Sequence, residues 1–247
     1  MRVTLFDGTG FGSPNPERHA ANVIVFTRNT RLKMTPEGMA SIQEKPDYEI
    51  LKELKEAANT LPSSWEFVTF SFLIQGVTRA FTHQLVRTRQ AGYAQQALRI
   101  VEVSDFEYST GPTIANDRLI KGAYHNTMDN AFQCYKFLIE AGASTEDARG
   151  VLPLNIHTNI CMYINMRNFI NLTRKRVSKR VQDEYRGVLD ACIMEIEKTY
   201  PWFYLFYKND AFKARKDLQD MIWENKYLTP EDKTNMVKKL DIMMPDL

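Results

Sequence analysis

The segment Arg87–Arg99, RTRQAGYAQQALR, carries three arginines, three glutamines and no carboxylate. No Asp or Glu occurs between Glu66 and Glu102 to balance it. Further guanidinium groups stand at Arg149 in STEDARGVLP, at Arg167, and at Arg174, Arg176 and Arg180 in RKRVSKR. A guanidinium grips phosphate through parallel N–H bonds, so arginines clustered without acids are candidate anion-binding groups. Glutamine offers both a donor and an acceptor, which suits a heteroaromatic base or an amide. For RKRVSKR a solvated helix face is the competing reading. For 87–99 the absence of local acids weighs against that reading.

Groups that would do chemistry unaided are not patterned for it. His19, His83, His125 and His157 have neither HxxxH nor HExxH spacing, which points to structural or surface roles and no metal site. Gly8, Gly10 and Gly12 lack the later glycine of a dinucleotide fingerprint, and no Walker loop or nucleophile elbow occurs. Cys134, Cys161 and Cys192 form no CxxC pair, and three is an odd count. That disfavours a disulfide framework or zinc site and favours a reducing compartment. Many phosphate-binding groups and no nucleophile point to chemistry borrowed from a cofactor. A net charge of +2 excludes a polycation and argues against a nucleic-acid partner. The start, MRVTLFDGTG, lacks the apolar core of a signal peptide, and no apolar run is long enough to span a bilayer. A cytoplasmic protein with no membrane partner is expected.

The elements that must position these residues follow from periodicity. MRVTLFDGTGFGSPNP predicts a short strand and a Gly/Pro turn, and PERHAANVIVF a helix passing into a β-branched run. DYEILKELKEAANTLP predicts a helix with Ile50, Leu51, Leu54 and Ala58 on its apolar stripe, ending before Pro62. In EFVTFSFLI, Val68, Phe70, Phe72 and Ile74 alternate with polar residues, the pattern of a half-buried strand. GVTRAFTHQLVRTR predicts a helix with Val77, Ala80, Phe81 and Leu85 inward and His83 and Arg87 on another face. Gly92 then marks an irregular, Gln-rich segment. A long helix is expected over 117–141. A short one follows, capped by Ser144 with Asp147 at the capping-box position and bounded by Pro153. HTNICMYIN predicts a strand. Asn165 is placed to cap a helix bearing Arg167, Asn171 and Arg174 on one face. SKRVQDEYRGVLDACIMEIEKTY predicts an amphipathic helix with Val181, Tyr185, Val188, Cys192 and Ile196 inward, and 210–247 a charged helical tail. The sum is an α+β domain, its sheet mixed or antiparallel and packed by long helices, with a helical C-terminal extension.

EFVTFSFLIQGVTRAFTHQLVRTRQAGYAQQALR resembles the flavin-dependent thymidylate synthases, whose signature is an Arg-His-Arg triplet followed by a serine, often within GVSRALTHQLVRHR. EDARGVLPLNIHTNICMYINMRNFINLTRKR resembles a second block of that family, in the right order and at the right distance. The resemblance covers roughly residues 1–205 and is strongest over 62–100 and 146–187. It implies a family-like domain over 1–209 and an extension over 210–247. It implies dUMP contacts at Gln84, Arg87, Gln95, Gln96, Ala97, Leu98, Arg99, Arg149 and Arg176. Arg176 matches the catalytic arginine that stabilises the ionised uracil ring. FAD contacts are implied at Ser63, Glu66, Arg87, Thr88, Arg89, Gln95, Asn165, Arg167 and Asn171. The family's sites form between the subunits of a homotetramer.

The sequence also departs from the family pattern. Thr88 replaces the signature histidine, Ala97 the signature serine, and Gly92 a serine five residues before it. Leu61 and Phe67 stand where the family has histidines, Asn22 where it has arginine, and Asp183 where it has tryptophan. The nucleotide-gripping arginines are kept while polar cofactor contacts are lost. The expected reaction is C5 methylation of dUMP to dTMP with FAD, methylenetetrahydrofolate and NADPH. The alternatives are a divergent pyrimidine-nucleotide C5 transferase, delivering a hydroxymethyl group or using another nucleotide, and a non-catalytic nucleotide-binding homologue.

Overall fold

In the computed structural model, residues 1–30, 34–60, 62–99, 107–176, 183–207 and 210–243 are described; at 176, 210–216, 241 and 243 the description is of the backbone alone. The chain opens with β1 (Arg2–Gly8), α1 (Pro16–Arg28), α2 (Pro36–Gln43) and α3 (Asp47–Ala58). A 3-10 turn (Pro62–Phe67) leads to β2 (Thr69–Thr78), α4 (Arg79–Leu85) and β3 (Ala91–Gln95). Next come α5 (Pro112–Ala115), α6 (Arg118–Glu140), α7 (Thr145–Ala148), a 3-10 turn (Arg149–Val151) and β4 (His157–Asn165). The chain continues through α8 (Met166–Arg176), α9 (Asp183–Thr199), a 3-10 turn (Pro201–Phe203), α10 (Tyr204–Tyr207), α11 (Asp210–Glu224) and α12 (Pro230–Met243). The fold is α+β. Its four-stranded antiparallel sheet has the order β1-β2-β4-β3. No helix among the described residues is long and apolar enough to cross a membrane.

The chain divides into two compact units, Met1–Thr4 with Phe72–Met162, and Leu5–Ser71 with Tyr163–Leu247. In the second unit an aromatic cluster forms the core. Phe70 meets the rings of Phe169, Tyr200 and Phe203 at centroid distances of 6.1, 5.6 and 5.9 Å, and all four are fully buried. The Tyr200 hydroxyl donates to the Thr9 carbonyl at 2.9 Å, so this buried polar tip is satisfied. Gly8 permits that approach: a Cβ there would lie 2.7 Å from the Tyr200 hydroxyl oxygen. Gly10, at φ +90°, turns the chain where only glycine sits without strain. In the first unit Val77, Phe81, Leu85, Ile156, Ile160 and Met162 are buried together with Phe72 and Ile74.

Several elements follow the sequence pattern closely. Asn165 Oδ1 accepts from the Asn168 N–H at 2.9 Å and caps α8. Ser144 Oγ accepts from the Asp147 N–H at 3.2 Å at the start of α7. Tyr185, Val188, Cys192 and Ile196 are buried along α9, whereas Val181 lies outside the described residues. Burial pushes the Cys192 thiol pKa up, with the Glu195 charge adding to it, so this thiol stays protonated.

Four expectations need correction. The run after PERHAA remains helical to Arg28, because Ile24 and Val25 pack into the core as part of α1. Leu51 is 39% exposed, and Ala57 takes the inner position on α3. The helix expected from Gly76 to Arg89 is only Arg79–Leu85. Val77 belongs to β2, and the Thr78 hydroxyl starts α4 by accepting from the Phe81 N–H at 3.0 Å. Finally, Ala91–Gln95 is strand β3 rather than irregular chain. Its pairing comes from partners that weak strand formers do not announce: Gln96 N–H donates to Asn159 O at 3.0 Å.

Candidate functional site

The arginine-rich segment is shaped by the shortness of α4. After Leu85 the chain turns, and Arg87 and Arg89 are left exposed beyond the helix end. The Tyr93 hydroxyl donates to the carbonyls of Leu85 and Thr88 at 2.9 and 3.1 Å, tying β3 back to that turn. Thr88 is half-buried under this clasp. Gln95 points inward: its amide donates to Thr82 Oγ1 at 3.0 Å. Gln96 is exposed, and its Oε1 accepts from Asn159 Nδ2 at 3.1 Å. Ala97 is exposed, Leu98 half-buried and Arg99 exposed. Gln84 is half-buried on α4.

Arg99 and Arg149 are far apart in sequence, yet they converge. Arg99 Nη1 lies 3.9 Å and Arg149 Nη2 3.8 Å from the same oxygen, Glu146 Oε1. Arg149 Nε donates to the Glu146 carbonyl at 3.1 Å, and Thr145 Oγ1 donates to the Arg99 carbonyl. The capped turn of α7 therefore presents a carboxylate between two guanidinium groups. At such lengths these are loose pairs in partly exposed surroundings, not tight bidentate ones. Chemically, two guanidinium groups around one loosely held carboxylate are able to take an anion. Arg87 and Arg89 make no ion pair among the described residues.

Sequence reasoning missed Arg79. Its Nη2 donates to the Gln96 carbonyl at 3.1 Å, while its Nε is buried without an acceptor among the described residues. Burial, and then the Arg149 charge, lower its pKa. The signal was available, since Arg79 lies in the same acid-free stretch as Arg87–Arg99.

In the other unit, Ser63 and Glu66 are exposed on the 3-10 turn before β2, and Glu66 pairs with Arg167 of α8. The Met166 N–H donates to the Val68 carbonyl at 2.7 Å, which brings the start of α8 against that turn. Asn165 spends its side-chain oxygen on the cap, and Asn171 is half-buried on α8. Ser64 Oγ is buried with no partner among the described residues. Serine, carboxylate and guanidinium side by side supply the donors and acceptors that sugar hydroxyls and a pyrophosphate need. Phe67 is 60% exposed beside them. Arg176 ends α8, and its side chain lies outside what the structure describes.

His157 bridges Ser109 Oγ at 2.9 Å and Glu107 Oε2 at 3.3 Å, and His125 packs among Tyr108 and Tyr124. Both therefore have structural partners.

The fold and these clusters define an α+β protein that gathers two guanidinium groups around the Glu146 carboxylate. Residues 13–202 match the family described as thymidylate synthase complementing protein. The chain belongs to that family and is an enzyme, a methyltransferase of the flavin-dependent thymidylate synthase kind. It is 30% identical over 221 residues to the flavin-dependent thymidylate synthase of Clostridium tetani, across 81% of this chain and 84% of the relative. The Nitratidesulfovibrio vulgaris enzyme of the same name is 38% identical over 136 residues, 52% of this chain and 56% of that one. The Geobacter sulfurreducens enzyme is 29% identical over 192 residues, 76% of this chain and 78% of that one.

Proposed function

We propose that the chain converts dUMP to dTMP, with FAD as cofactor and methylenetetrahydrofolate and NADPH as co-substrates, as a homotetramer in the cytoplasm. The observation that carries this reading is the convergence of Arg99 and Arg149 on one carboxylate oxygen. These are arginines that the resemblance gives to the nucleotide. A phosphate dianion offers more acceptor oxygens and more charge than Glu146, so it displaces that carboxylate from the two guanidinium groups. Gln84 and Gln96, half-buried and exposed around the same segment, suit the edge of a pyrimidine.

Ser63, Glu66 and Arg167 would hold the flavin dinucleotide, with Arg87, Thr88, Arg89, Gln95, Asn165 and Asn171 completing the set that the resemblance implies. When bound, the reduced flavin supplies the hydride that completes the methyl group. Arg176 stabilises negative charge on the uracil ring; that role rests on the resemblance. The oligomer is supported by α6, which leaves Leu119, Ile120 and Phe137 exposed. The domain assignment, 1–209 with a helical extension over 210–247, belongs to the same reading.

The test is product analysis with purified protein, FAD, NADPH, methylenetetrahydrofolate and dUMP. Formation of dTMP is expected. Arg176→Ala should lower kcat by about 10²–10³, the scale of losing one positioned donor to developing charge. Wild-type kcat in that variant removes Arg176 from the mechanism. A divergent transferase is the second reading, favoured by Phe67, exposed where the family carries histidine. A product other than dTMP would establish it.

A further inference from the structure

No motif in this sequence announces a nucleophile, yet the fold assembles the parts of one. Tyr108 and Ile156 form an isolated antiparallel bridge. Beside it the His157 N–H donates to the Glu107 carbonyl at 2.8 Å, and the Ser109 N–H to the Asn155 carbonyl at 3.0 Å. Side chains two apart along extended chain share a face, so Glu107 and Ser109 stand on one side of this ribbon and His157 meets both. Ser109 Oγ lies 2.9 Å from His157 Nε2, and Glu107 Oε2 lies 3.3 Å from His157 Nδ1.

The carboxylate decides where the ring proton sits. It can only accept, so Nδ1 carries the hydrogen and donates to Glu107. Nε2 of the neutral ring is then an acceptor, and the Ser109 hydroxyl donates to it. In this order of groups a base draws the proton from a hydroxyl while a third group orients the base. Ser109 and His157 are half-buried, whereas the Glu107 side chain is 75% exposed. The ribbon is pinned from α6. The Tyr124 hydroxyl donates to the Ser109 carbonyl at 2.9 Å, and Asn155 Nδ2 donates to that hydroxyl oxygen at 2.8 Å. The N–H groups of Thr110 and Gly111, next in the chain, have no acceptor among the described residues. In α/β-hydrolases the N–H of the residue after the nucleophile is one of the donors that receive the oxyanion.

We propose that Ser109, His157 and Glu107 form a hydrolytic site at which Ser109 takes the acyl group of a small uncharged ester. This does not rest on the nucleotide reading. The Ser109 oxygen bonds to the ester carbonyl carbon as its proton passes to His157 Nε2. The bond from that carbon to the alkoxy oxygen then breaks, and the leaving oxygen takes the proton. Water adds to the acyl-serine by the same route. Its proton goes to His157 and then to Ser109 Oγ, as the bond between the carbon and Oγ breaks and the acid departs. No electrons are transferred, and water is the only co-reactant. Glu107 is a positioning residue, because it acts through His157. Its charge repels anionic acyl groups, which makes an uncharged ester the fitting class.

The experiment follows p-nitrophenyl acetate hydrolysis by the full chain, with no nucleotide, flavin or folate present, and covalent labelling by diisopropyl fluorophosphate. Wild type should release nitrophenolate, and the label should sit on Ser109 by peptide mass spectrometry. Ser109→Ala and His157→Gln should each lower kcat/KM about 10²-fold, the lower end of what a positioned base contributes. Glu107→Gln should lower kcat about tenfold, the scale of one hydrogen bond to an oriented base, and leave KM unchanged. Labelling of Ser109 should be lost in His157→Gln. Hydrolysis that Ser109→Ala keeps in full overturns the proposal. So does a label on another residue, or one on Ser109 that His157→Gln keeps, or a wild type that neither turns over nor labels. Wild-type kcat in Glu107→Gln overturns the three-residue assignment. Should Ser109→Ala or His157→Gln not fold, the position of the label in wild type and its rate in Glu107→Gln decide: a slower label on Ser109 supports the proposal, and an unchanged rate refutes it.

Discussion

In the unit of Leu5–Ser71 and Tyr163–Leu247, all the described arginines of α1 and Arg167 of α8 end on carboxylates, as does Lys45: Arg18 on Asp47, Arg28 on Glu56, Lys45 on Glu53, Arg167 on Glu66. In the unit of Met1–Thr4 and Phe72–Met162, Arg99 and Arg149 share one distant carboxylate, and Arg79, Arg87 and Arg89 pair with none among the described residues. The same residue type is neutralised in one place and left in surplus in another. Surface pairs contribute only about 0–1 kcal/mol, so pairing is no measure of how well a unit is held together. The surplus is informative for another reason. A protein that keeps guanidinium groups together without acids leaves their counter-charge to a ligand. The paired unit draws its stability from burial instead, with the Phe70 cluster at its centre.

The largest expected effect breaks the paired unit and tests whether the two regions are energetically separate. Phe70→Ala removes a fully buried ring that touches Phe169, Tyr200 and Phe203. It should cost about 3–5 kcal/mol in urea unfolding. Phosphate affinity, titrated at low temperature where the variant is still folded, should stay at the wild-type value. A cost below about 1 kcal/mol would mean that the cluster collapses around the gap. A parallel loss of phosphate affinity would mean that the anion cluster depends on this core.

A smaller effect sharpens the other side of the comparison. Glu146→Gln removes the carboxylate that Arg99 and Arg149 share. All three side chains are partly exposed, so solvent screens the pairs. Global stability should change by no more than about 0.5 kcal/mol. Phosphate affinity should rise about two- to fivefold, because the ligand no longer displaces a charge. Weaker phosphate binding would show that Glu146 orients the arginines rather than competing for them.

Much of this was legible in the sequence, and the misses share a cause. The alternation in HTNICMYIN gives β4, and Asn165 at its end gives the cap of α8. Both signals are local. The stripe Val77, Ala80, Phe81, Leu85 fits a helical period, but strand pairing carries β2 through Thr78. Ala91–Gln95 has little strand propensity of its own and is held by Asn159 and by the Tyr93 clasp. The meeting of Arg99 with Arg149 was expected only through family resemblance, since no local rule brings those positions together. Arg79 lies outside the segment Arg87–Arg99 that the sequence reading singled out. Its place in the acid-free stretch was the better guide.

The smallest effect concerns acid, and it separates the paired unit from the unpaired cluster by pH. Glu53 is desolvated by burial, which raises its pKa. Hydrogen bonds from Lys45 and Asn29, and the Lys45 and Arg28 charges, outweigh that and leave it lowered. A carboxyl whose folded pKa lies below its unfolded value stabilises the fold above the unfolded pKa. That contribution fades as pH falls through the folded pKa. For a glutamate the window opens at about 4.3 and extends downward. Glu53→Gln should therefore lower the Tm slightly at pH 7, and that effect should fade as pH falls below about 4.3 toward and through the lowered folded pKa of Glu53. The difference in Tm between wild type and variant, measured across that interval, should shrink steadily toward acid. Phosphate affinity at pH 7 should be unaffected, because Glu53 neutralises cations that take no part in the arginine cluster. A Tm difference independent of pH would show that Glu53 acts through packing, and that the ion pairs of this unit contribute nothing measurable to its stability.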